Sequence, residues 1–116
     1  MVEAKLNSLV RQVRQEQQTL VVTLAGDVDL HRTPELQQEL VRVVEKHPRR
    51  IVLDLSGVQY MDSSGVASLV KLLSSTRRQN IDLKLCGLLP RVRSIFEITR
   101  LDTVFDICPT VKEAMA

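Results

Sequence analysis

Hydrophobic and polar residues change rhythm several times along this chain, and each change marks a new element. Apolar Leu9 and Val10 open a run that lasts to Gln15. The polar stretch Gln15-Glu16-Gln17-Gln18 interrupts it, and Thr19-Leu20-Val21-Val22-Thr23-Leu24-Ala25 follows with β-branched and apolar side chains. Strand, polar turn, strand is the economical reading, so a hairpin opens the fold. Beyond Gly26, Thr33-Pro34-Glu35 offers a capping hydroxyl, a proline for the first helical position and an acid for the first turn. Leu36, Leu40, Val43 and Val44 then recur at helical spacing, and His47-Pro48 stops the helix.

Ile51-Val52-Leu53-Asp54-Leu55 is nearly continuous in apolar character, as expected of a strand at the centre of a sheet, and Gly57 permits a bend after it. Asp62-Ser63-Ser64-Gly65 places cap-type residues before a second helical pattern. Its inward stripe is predicted from Val66, Leu69, Val70 and Leu73, with Arg77-Arg78 at the negative pole and Asn80 as a left-handed stop. Ile81 to Cys86 alternates with period two and reads as a strand. Pro90 opens a third helix bearing Val92, Ile95 and Phe96, Val104 to Ile107 forms a short strand, and Thr110 caps a brief last helix. Helices alternating with strands after a hairpin predict an α/β fold, a mixed sheet of about five strands with about four helices. With no repeat or linker dividing it, residues 1–116 read as one domain whose core begins near residue 9.

Composition narrows the function. The 116 residues are 44% hydrophobic and 26% charged, which suits a packed core and gives disorder no support. Sixteen Lys and Arg against fourteen Asp and Glu leave a net charge of +2, short of the basic excess that phosphate-backbone binding uses. Tyr60, Phe96 and Phe105 are the only aromatic residues, so base-stacking platforms have few candidates and no nucleic-acid partner is expected. Cys86 and Cys108 have neither metal-site nor disulfide-scaffold spacing. Buried structural thiols are the default for them, with a bond between the two left open. No apolar run approaches the roughly 20 residues that span a bilayer, and the first residues lack a signal-peptide core. A cytoplasmic protein with no membrane partner is the expectation.

The chemistry concentrates around Ser63, where a buried strand passes through a loop into a helix start. Backbone N–H groups and the positive end of a helix dipole converge there, which suits an anion or a phosphorylated hydroxyl. The same residues also serve as simple helix caps, and spacing alone allows either. Gly65 fits two roles equally: clearing the approach to a neighbouring hydroxyl, or loosening a helix start. Asp27, Asp29 and His31 alternate and could face one way, but three ligands in one turn without further Glu, His or Cys nearby are more often polar side chains in contact with water, so no metal is expected. A hydrolase would use Ser63 as nucleophile, His31 as base and Asp29 or Asp62 as orienting acid. No Gly-x-Ser-x-Gly elbow surrounds Ser63, and no catalytic residue is assigned. Arg77, Arg78, Arg91, Arg93 and Arg100 read as solvated helix faces.

The segment from Ile51 through Asp62-Ser63-Ser64-Gly65 to Val66 resembles the signature of bacterial anti-sigma factor antagonists, the STAS-domain family. Gly26-Asp27-Val28-Asp29 is similar to that family's turn after the second strand, and Leu101-Asp102-Thr103-Val104-Phe105 to its closing helix-to-strand segment. The resemblance covers most of the chain from about Leu20 onward. It implies a single STAS domain that is a switch and not an enzyme. The dephosphorylated form binds an anti-sigma factor of the serine-kinase type and frees a sigma factor, and phosphorylation undoes the binding. The acceptor falls on Ser63. Asp62, Ser64 and Gly65 flank it as partner-binding residues, and Asp29, His31 and Thr33 are secondary interface candidates because the resemblance sets their turn beside the loop. A serine phosphatase is a second partner class, no cofactor is required, and a monomer or weak dimer is expected. The alternative within the same family is an adaptor regulating an ABC-transporter ATPase or a signalling complex.

Overall fold

Alternation of burial along the strands and stripes along the helices organise residues 8–116, which are described by a computed structural model. Strands β1 (Val10–Glu16) and β2 (Thr19–Val28) form the opening hairpin. Helix α1 (Thr33–Glu45), strand β3 (Arg50–Met61), helix α2 (Ser63–Arg78), strand β4 (Asp82–Cys86) and helix α3 (Pro90–Ile98) follow. A 3-10 turn (Leu101–Thr103), strand β5 (Asp106–Cys108) and helix α4 (Val111–Met115) complete the order. The five strands lie in sequence order, β1 antiparallel to β2 and every later neighbour parallel. Because each parallel step advances in one direction, right-handed crossovers put α1, α2 and α3 on one face of the sheet.

That face holds the main core. Leu20, Val22 and Leu24 of β2, Ile51, Leu53 and Leu55 of β3, and Leu83 and Leu85 of β4 pack beneath Leu36 and Leu40 of α1, Leu69 and Leu72 of α2, and Phe96 of α3. Strand β3 is central, and Ile51, Val52 and Leu53 are fully buried in succession, as its unbroken apolar run implies. The ring of Phe96 meets Phe105 edge to face, with centroids 5.5 Å apart, a favoured aromatic arrangement.

Several boundaries differ from the sequence expectation, each for a local reason. Strand β3 continues past Gly57 to Met61. A Cβ at Gly57 would lie 2.8 Å from the Ala25 Cβ and 3.0 Å from the Leu24 carbonyl oxygen, so this glycine serves a close strand approach beside a register shift and not a turn. Thr33 is the first residue of α1 and not its cap; the side chain of Asp29 instead accepts from the backbone N–H groups of His31 and Arg32, at 3.1 and 3.2 Å.

Helix α2 turns inward on Gly65, Ser68, Leu69, Leu72 and Thr76, leaving Val70 41% exposed. Small and hydroxylic residues can face α1 because Ser68 donates to the Ser64 carbonyl at 2.9 Å and accepts from Gln37 at 3.2 Å, so its hydroxyl is buried with partners. Val104 belongs to an exposed turn, and β5 starts only at Asp106. Asn80 does take the left-handed conformation, with φ 58°, and Thr110 accepts from the Glu113 N–H to cap α4.

Truncating Phe96 to alanine removes a fully buried ring and its edge-to-face partner contact. The expected loss is about 3–5 kcal/mol of unfolding free energy, read from the shift of the urea midpoint. A loss below about 1 kcal/mol would contradict the close packing described for α3.

Candidate functional site

Two loops meet at the carboxyl end of the parallel strands, one joining β2 to α1 and the other joining β3 to α2. Asp62 holds them together. Its Oδ1 accepts from the backbone N–H groups of Ser64 at 2.9 Å and Gly65 at 3.1 Å, and from the Ser64 hydroxyl. Its Oδ2 accepts from the backbone N–H of Leu30 at 3.1 Å, across 32 positions of sequence. A second tie joins the same loops through the backbone: the Asp62 N–H donates to the Val28 carbonyl at 3.1 Å. The hydrogen bond from Ser64 is the largest influence lowering the Asp62 pKa below its ordinary value; desolvation opposes it, and the N–H groups of Gly65, Ser64 and Leu30 reinforce it.

The three residues after Asp62 have three different surroundings. Ser63, at the first position of α2, is exposed, and among the described residues nothing hydrogen-bonds its hydroxyl. Ser64 turns its hydroxyl back to Asp62. Gly65 is buried: a Cβ there would come within 2.6 Å of the Met61 Cγ, 2.8 Å of the Val28 Cγ1 and 3.0 Å of the Val28 carbonyl oxygen. Neither of the two roles considered for this glycine accounts for that. Its missing side chain lets the start of α2 sit directly on β2 and β3.

The β2–α1 loop divides in the same way. His31 is exposed beside Leu30, whereas Thr33 is 4% exposed and turns its hydroxyl to the Leu30 carbonyl at 3.4 Å. Thr33 and Gly65 therefore lie beneath the surface formed by the two loops and shape it from below. Asp29 is half-buried with its Oδ1 engaged by two N–H groups, so it fixes the loop. Leu30 was absent from the sequence candidates, yet it is 69% exposed at the tip of this loop, tethered by its own N–H to Asp62. The available signal was faint: a leucine that belongs to neither helical nor strand periodicity. Among the described residues no group of three or more His, Cys, Asp or Glu side chains is placed to hold a metal ion.

The model of the STAS domain matches residues 11–114. This chain belongs to the STAS domain family. The STAS chain is 33% identical over 97 residues to the putative anti-sigma factor antagonist BtrV of Bordetella bronchiseptica, covering 84% of each chain. It is also 33% identical over 95 residues to the anti-sigma-B factor antagonist of Bacillus subtilis, covering 82% of this chain and 86% of the relative. Among solved structures, an anti-sigma factor antagonist from Mycobacterium paratuberculosis superposes with a TM-score of 0.80 at 26% identity, over 90% of this chain and 88% of that one.

Two measurements probe the junction. Because the folded pKa of Asp62 is depressed, its stabilisation is complete above the unfolded value near 3.8 and disappears as pH falls through the lower folded value. Asp62→Asn, which can still cap a helix, should be less stable than the parent at pH 7, and the difference should narrow as pH falls below 3.8; a difference that stays constant as the solution is acidified would dissociate the charge from the effect. Gly65→Ala should lower stability by about 1–3 kcal/mol, because crowding against Met61 and Val28 outweighs the roughly 1 kcal/mol by which alanine favours a helix. A stabilised variant in thermal melts would contradict the close approach.

Proposed function

We propose that this STAS protein is an anti-sigma factor antagonist that docks an anti-sigma factor of the serine-kinase type through the surface around Ser63 and is released when that serine is phosphorylated. The observation that carries the reading is the exposed, unbonded Ser63 hydroxyl at the first position of α2, flanked by a rigid loop junction. The names of the sequence relatives support the same reading over a transporter adaptor. In it, Ser63 is a substrate. Its oxygen attacks the terminal phosphorus of the partner's ATP, the proton passes to a base of the kinase, and ADP leaves. ATP, metal and base all belong to the partner, so this chain needs no catalytic residue or cofactor of its own. Phosphorylation from ATP supports a cytoplasmic location, where a serine phosphatase would reset the protein.

The physical consequence of the modification follows from what already occupies the helix end. A phosphoserine brings a charge of about −1.5 to −2 and three acceptor oxygens. A helix N-terminus would ordinarily offset part of this by about 0.3–1 kcal/mol. Here the N–H groups of Ser64 and Gly65 are already bonded to Asp62, and that carboxylate adds like charge beside the phosphate. The new charge is therefore turned outward, toward whatever is docked. A hundredfold loss of affinity needs only about 2.8 kcal/mol, well below the desolvation cost of an unpaired dianion in a contact surface. The fold stays intact because Ser63 contributes nothing to the core. Leu30, the exposed apolar side chain on the loop that Asp62 ties to the start of α2, supplies the contact that a charged switch cannot, as anchors near the centre of an interface do.

Incubating the protein with its kinase-type partner and ATP should add one phosphate. Ser63→Ala should bind the partner as well as the parent while incorporating none, Ser63→Asp should bind at least about tenfold more weakly, and Leu30→Ala should weaken binding by about tenfold with phosphorylation still directed to Ser63. Undiminished phosphorylation of Ser63→Ala, read by intact mass, would overturn the assignment.

A further inference from the structure

On the sheet face away from α1, α2 and α3 lies a smaller apolar cluster of Val21, Val52, Cys86 and Ala114, with Cys108, Val111 and Met115 packed at its margin. Helix α4 contributes Val111, Ala114 and Met115 to it. Both cysteines are free thiols, and Cys86 and Cys108 are register partners in the parallel strands β4 and β5. Partners in a parallel ladder direct their side chains to the same face from Cα positions about 4.8 Å apart, within the range of about 4.4–6.8 Å that disulfides span.

The two thiols are not equivalent. Cys86 is fully buried, whereas Cys108 is half-buried and not the structural core thiol expected from its sequence context. Lys84, on the same face and two pairs earlier in the register, lies within electrostatic reach of Cys108. Burial pushes the Cys86 thiol up to about 12, with the charges of Asp54 and Cys108 adding to the effect, so Cys86 is the poorer initial nucleophile. Strand β5 is three residues long and pairs on one side only, so the small approach needed to join the sulfurs falls on the element least held by its neighbours.

We infer that Cys108 and Cys86 form an oxidation-responsive pair, in which a peroxide reacts first at Cys108 and Cys86 then closes a disulfide between β4 and β5. In the first step the Cys108 sulfur attacks hydrogen peroxide: an S–O bond forms, the O–O bond breaks, and the departing hydroxide takes up the thiol proton as water. In the second, the Cys86 sulfur attacks the sulfenic sulfur of Cys108: an S–S bond forms, the S–O bond breaks, and hydroxide leaves with the Cys86 proton as a second water. Two thiols lose two electrons and one peroxide gains them. The bond closes a loop that holds α3 and the 3-10 turn and fixes the edge strand that leads into α4. This pair is independent of the switch proposed at Ser63.

The test exposes the full chain to hydrogen peroxide, alkylates remaining thiols, and reads intact mass and cysteine-containing peptides. The expected product has lost about 2 Da, resists alkylation, yields a linked Cys86–Cys108 peptide, reverts with a dithiol reductant, and melts about 5 °C or more above the reduced chain. Cys86→Ala should accumulate a Cys108 sulfenic acid that a cyclic dione traps, and Cys108→Ser should leave Cys86 reduced under the same exposure. The linked peptide from the parent chain decides the matter even if a variant folds poorly. A chain joined to a second copy, a sulfinic acid at Cys108 with Cys86 still alkylatable, or two unreacted thiols would each overturn the inference.

Discussion

The carboxylate of Asp62 accepts hydrogen bonds from two stretches of backbone that the chain brings together from far apart, the first turn of α2 and the tip of the β2–α1 loop. A charged acceptor shared by three backbone donors and one hydroxyl is hard to replace. A neutral side chain would hold the same donors less strongly, and a non-bonding one would leave them to compete for water. Around this point the surface of the domain is defined. Leu30 is tethered at one end, the start of α2 is set against β2 and β3 at the other, and Ser63 is left exposed.

The geometry of the first helical turn explains how the switch proposed at Ser63 would leave stability untouched. Successive residues of a helix point about 100° away from one another, and Ser63, Ser64 and Gly65 consequently face solvent, the cap and the core. A modification at the first of these changes the outward charge by up to about two units, while the buried neighbours that hold the helix against the sheet remain in place. Domains of this size are stable by only about 5–15 kcal/mol. A switch whose acceptor lay at Gly65, two positions on, would act on that narrow margin and not on the partner.

Much of this was legible in the residues. The stripe of Leu36, Leu40, Val43 and Val44, the apolar run of Ile51 to Leu55, and the capping character of Asp62 each depend on local periodicity or on a side chain reaching its own next turn. The structure shows all three. The failures share a different origin. Thr33 and Asp29 both suit the start of α1, and the choice between them depends on how the chain enters from β2. Val70 fits an apolar stripe as well as Leu72 does, but the surface offered by α1 favours the rotation that buries Ser68 and Thr76. Gly57 and Gly65 look like flexible points in a sequence and prove to be points of close contact.

By itself, then, the order of residues determined the elements, the central strand and the serine at the mouth of α2, because each is written in spacings shorter than about two helical turns, and it determined the family resemblance through longer stretches whose residues can be compared without knowing how they fold. The folded chain alone decided that Ser63 is open while Gly65 is sealed, that the Leu30 loop is tied to Asp62, and that Cys86 and Cys108 are partners in neighbouring strands. Those relations join positions many residues apart, and only strand register and helix packing, which arise when the whole sheet assembles, fix which distant side chains become neighbours.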